Sequence, residues 1–61
     1  MTDIERDNLY TELCHTMGSL GEQRAPLFLA RFALLAMDAV GQAEVVQGLL
    51  RDAAAGMAEP A

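Results

Sequence analysis

The chain has 61 residues, 52% of them hydrophobic, with nine acidic side chains against four basic ones and a formal net charge of -5. A single domain is the most that this length allows, and it buries only about 60% of the surface its unfolded chain exposes, which excludes a deep catalytic cleft. The basic side chains are arginines alone, too few for the footprint that phosphate backbones and anionic lipids require, so neither nucleic acid nor a membrane is an expected partner.

Helix formers dominate, and breakers cluster at Gly18 to Gly21 and at Gly41, dividing the chain into three predicted helices of about 3–17, 24–40 and 42–55, with a frayed tail at 56–61. The first opens on Thr2-x-x-Glu5, the spacing of a capping box, with Asp7 as an alternative N-cap. Leu9, Tyr10, Leu13, Met17 and Leu20 recur at helical intervals as one apolar stripe. Gly18-Ser19-Leu20-Gly21 supplies residues tolerant of left-handed dihedrals, and a tight antiparallel helical hairpin is expected there.

The second helix starts near Pro26, since proline suits a first turn, and ends where Gly41 can cap it. Its Leu27, Phe28, Leu29, Phe32, Leu34, Leu35, Met37 and Val40 point in nearly every direction around the axis. A helix apolar all round must be covered all round, and two short neighbours cannot do that, so self-association or a partner protein follows. Ala25 to Val40 is 16 residues long and is interrupted by Arg31 and Asp38, which is too short and too charged to span a bilayer. The third helix carries Val45, Val46, Leu49, Leu50 and Ala53 as a further stripe, with Gly48 either weakening it or admitting a close neighbour.

Arg24, Arg31 and Asp38 are spaced by seven and form the single polar line on the second helix. One reading is a solvated face. The other pairs Arg31 with Asp38 across a two-fold interface, where an antiparallel copy brings each arginine to the other chain's aspartate. An intrachain pair would be stretched, because seven residues of helix rise about 10.5 Å.

Catalytic chemistry is not expected. Cys14 and His15 are adjacent and so point about 100° apart, a poor arrangement for chelating a metal or for activating a thiol. Met17, Met37 and Met57 read as helical filler, and Tyr10 as a rim residue with its hydroxyl in water. Asp3, Glu5, Asp7 and Glu12 sit near the start of the first helix, where negative charge offsets the macrodipole. No metal or cofactor is implied. With one cysteine and one histidine, disulfide and metal are removed as supports for so small a core, and a partner chain is left. The acidic start, MTDIERDN, lacks the basic and apolar segments of a signal peptide, so a cytoplasmic protein is expected.

Leu9-Tyr10-x-x-Leu13, Leu20-Gly21-Glu22-Gln23, Ala30-Arg31-Phe32-x-Leu34-Leu35 and Val40-Gly41-x-x-x-Val45 together resemble a small bacterial family, the domain of unknown function numbered 2783, over roughly residues 7–54. Arg31 corresponds to that family's arginine, while Gly21 and Gln42 stand where its pattern has a polar cap and an aspartate. The resemblance implies a short helical protein without assigned activity, encoded beside flavin-dependent monooxygenases and other enzymes of aromatic-compound breakdown, and hence an accessory role.

The expectation is therefore an all-α unit, a helical hairpin plus a third short helix, completed by a second copy or by a larger enzyme partner and acting by contact. Phe28, Phe32, Leu35, Leu49 and Leu50 are the expected anchors, and Arg31 and Asp38 the residues that fix register. The alternative is a homodimeric small-molecule binding module with an apolar pocket between paired second helices.

Overall fold

The computed structural model describes residues 1–57, which form three helices and, among the described residues, no strand: α1 (Asp3–Leu20), α2 (Ala25–Val40) and α3 (Ala43–Ala54). The all-α unit is as the composition requires. α1 starts at the capping box: the Glu5 backbone N–H donates to the Thr2 hydroxyl at 3.1 Å, and the Thr2 N–H donates to the Glu5 carboxylate at 2.8 Å. Asp7, the alternative cap, lies inside the helix, where Arg6 reaches both it, at 3.5 Å, and Asp3, at 3.7 Å.

α1 runs past its expected end near 17. Gly18 stays helical, since a lone glycine weakens a helix by about 1 kcal/mol without ending it. The chain leaves the helix at Gly21, whose φ of 82° favours glycine and whose N–H donates to the Met17 carbonyl at 3.1 Å. Arg24 and Ala25 then donate to the Gly21 carbonyl at 3.2 and 2.9 Å, and Pro26 sits in the first turn of α2, where its missing N–H has no partner to lose. Gly41, at φ 72°, closes α2 in the left-handed region, and its N–H donates to the Met37 carbonyl at 2.9 Å. Gln42 precedes α3 without a side-chain cap. Gly56 and Met57 form a turn, and the rest of the expected tail, 58–61, lies outside the described residues.

The expected tight hairpin is open. Among the described residues, no two Cα atoms twelve or more positions apart approach within 8 Å, so α1 and α2, like α2 and α3, meet only near their connecting glycines. The cause is local: with Gly18 helical, the residues of the expected loop are spent extending α1, and the Glu22–Arg24 turn redirects the chain without laying the helices side by side. The radius of gyration is 13.5 Å, against about 10.5 Å for a compact domain of this length. No side chain among the described residues is buried. The most covered, Leu13, Thr16 and Met17 of α1, Ala25, Phe28, Ala33, Ala36 and Met37 of α2, and Val46 of α3, are half-buried.

Candidate functional site

The site is a surface. On α2, Leu29, Phe32, Ala33, Ala36, Met37 and Val40 recur at the three- and four-residue steps that put side chains on one helical face. Leu13 of α1 borders this stripe on one side, and Val46, Leu49, Leu50 and Ala53 of α3 border it on the other, around an open concavity of about 460 Å³. No charged side chain lines it. A neighbouring cleft of about 430 Å³ between α1 and α2 is lined by Leu9, Glu12, Leu13, Thr16, Phe28 and Phe32, so Leu13 and Phe32 join the two into one apolar trough. Phe28 and Phe32 stack within it, with ring centroids 6.5 Å apart and planes 17° from parallel. At the other end the trough passes through Met37, Val46 and Leu50 into a notch that Asp38, Gly41, Gln42, Ala43 and Gln47 complete.

The expected anchors divide. Phe32, Leu49 and Leu50 line the concavity, and Phe28 lines the adjoining cleft. Leu35 lines neither and is 69% exposed. At about 100° per residue, Arg31 and Asp38 lie roughly opposite the centre of the Leu29 to Val40 stripe, sharing that outer side with Leu27 and Leu34. One helix contact cannot use both sets. Arg24, Arg31 and Asp38 make no ion pair among the described residues; those found are Arg6 with Asp3 and with Asp7, which are solvent-exposed and contribute little.

Leu29, Ala33, Ala36, Met37, Val40 and Val46 belong to the surface beside the anchors expected from the sequence. Their spacing was the available signal, but Leu27, Leu34 and Leu35 fill in the opposite side of α2 and make the helix read as apolar all round. The Cys14 thiol is exposed, and among the described residues no three His, Cys, Asp or Glu side chains are grouped to hold a metal. No described helix is long and apolar enough to cross a membrane; α2, at about 24 Å, is shorter than a hydrocarbon core of about 30 Å.

No family model matches the chain, and neither does any curated protein or solved structure.

Proposed function

We propose that this protein works by contact rather than by chemistry, as a small accessory module whose apolar trough is covered by another polypeptide. The observation that carries this reading is a helical backbone with no side chain buried among the described residues: α1, closed by its capping box, and α2, closed at Gly41, leave Phe32 half exposed, at 50%, in the middle of a charge-free concave face. Contiguous apolar surface on that scale marks an interaction site in a soluble protein. It acts in the cytoplasm, where an exposed thiol such as that of Cys14 stays reduced. The resemblance to the 2783 family makes an enzyme of aromatic breakdown, such as a flavin-dependent monooxygenase, the system it serves.

Phe32→Glu sets a charge in the trough, and Leu34→Glu sets the same charge on the outer side of α2. For a module completed by association, the melting temperature of the native chain rises with protein concentration. Phe32→Glu removes that rise and lowers the melting temperature, whereas Leu34→Glu leaves it. A native melting temperature independent of concentration, with or without candidate partners, contradicts the reading.

A second reading draws on the size of the concavity. About 460 Å³ of apolar space lies within the roughly 300–1,000 Å³ of small-ligand sites, so a homodimer enclosing it can take an apolar ligand. A panel of aromatic acids raising the melting temperature of the dimer in a saturable way is the expected sign.

A further inference from the structure

We propose that the polypeptide covering the trough is a second copy of this chain, related by a two-fold axis at which α2 crosses its own copy between Ala33 and Ala36. This rests on the contact reading above and names its partner. The first argument is area. A compact folded monomer of this mass exposes about 3,900 Å². This chain of 6.6 kDa exposes 5655 Å². The excess, about 1,800 Å² per chain, falls within the roughly 1,000–2,500 Å² that each subunit contributes to an obligate homodimer.

The second argument is self-complementarity, which an isologous two-fold contact demands of a single surface. With α2 antiparallel to its copy and centred between Leu34 and Leu35, Leu29 meets the partner's Val40, Phe32 meets the partner's Met37, and Ala33 meets the partner's Ala36. Large side chains then oppose large ones toward the ends, and small ones oppose small ones at the crossing, so the backbones can approach closely there without leaving a void. α1 and α3 flank α2 and bring Leu13 and Leu49 over the copy. The third argument is charge. The concavity around the Leu29 to Val40 stripe has no charged side chain, so closing it desolvates none; Glu12 stands only on the wall of the adjoining cleft, and Arg31 and Asp38 lie on the outer side of α2.

The test is light scattering on the full-length chain over about a tenfold dilution, with circular dichroism on the same fractions. It is joined by bismaleimide cross-linking of Ala33→Cys and Leu34→Cys, each carrying Cys14→Ser. The expected result is a helical species of twice the 6.6 kDa chain mass, cross-linked efficiently through Ala33→Cys and poorly through Leu34→Cys. A dimer cross-linked through Leu34→Cys alone overturns the crossing at Ala33 and Ala36 and leaves the contact reading standing. A monomer with little helix overturns the second copy and leaves a different protein as the partner. A fully helical monomer that melts cooperatively at every concentration overturns both.

Discussion

Thr2 and Glu5 hold each other in a reciprocal pair at the start of α1, and the pair has consequences that single residues can report. The Thr2 backbone N–H, and after it the Thr2 side chain, keep the Glu5 carboxyl below its ordinary value of 4.5. A carboxyl lowered on folding lends its stabilisation in full above that ordinary value, and the contribution is lost as pH falls through the lower, folded value. The Thr2 amide proton is therefore expected to titrate with a midpoint under 4.5, and a midpoint at or above it would mean that the capping box is not formed in solution. Thr2→Ala removes the acceptor of the Glu5 N–H and is expected to cost about 1 kcal/mol of helix stability. That cost reads as lost helicity confined to the first turns of α1.

The helices themselves differ in how their glycines act. Gly18 and Gly48 are helical, and a Cβ added at either meets nothing within 4 Å. Gly18→Ala and Gly48→Ala are each expected to gain up to about 1 kcal/mol, seen as higher helicity and a higher melting temperature. Gly41 is different, because at φ 72° a side chain is strained whatever the space around it. Gly41→Ala is expected to destabilise the α2 to α3 connection by about 1 kcal/mol or more, and a neutral or stabilising result would refute the left-handed cap. This contrast also marks what the sequence could disclose. Caps and helix ends depend on a few adjacent residues, so Thr2-x-x-Glu5, Pro26 and Gly41 were legible as they stand. Whether Gly18 or Gly21 ends α1 was not, since both tolerate either role and the choice is a balance of small terms. The open angle between α1 and α2 follows from that choice, and so it was illegible too. The stripe from Leu29 to Val40 was hidden for another reason: three outer leucines at 27, 34 and 35 blur a period that six side chains keep.

At the scale of the whole molecule, the polar line of α2 and the trough make opposite predictions about salt. Had Arg31 and Asp38 joined two chains, their attraction would be screened as ionic strength rises, and association would weaken. An apolar contact has no such term. What remains is the repulsion between chains that each carry a net charge of -5, and added salt reduces it over separations beyond a Debye length of roughly 10 Å at 0.1 M. Raising sodium chloride from about 0.01 to about 0.15 M is therefore expected to strengthen association or leave it unchanged, measured as the dissociation constant from dilution experiments in analytical ultracentrifugation. Arg31→Gln takes the net charge of each chain from -5 one unit further from zero, so it should if anything weaken association slightly at low salt and keep the sign of the salt dependence, because the guanidinium stays on the outer side of α2 in water. A dissociation constant that grows with salt in the native chain and loses that dependence in Arg31→Gln would instead assign the contact to the outer side, with Leu27, Leu34 and Leu35 as its apolar part.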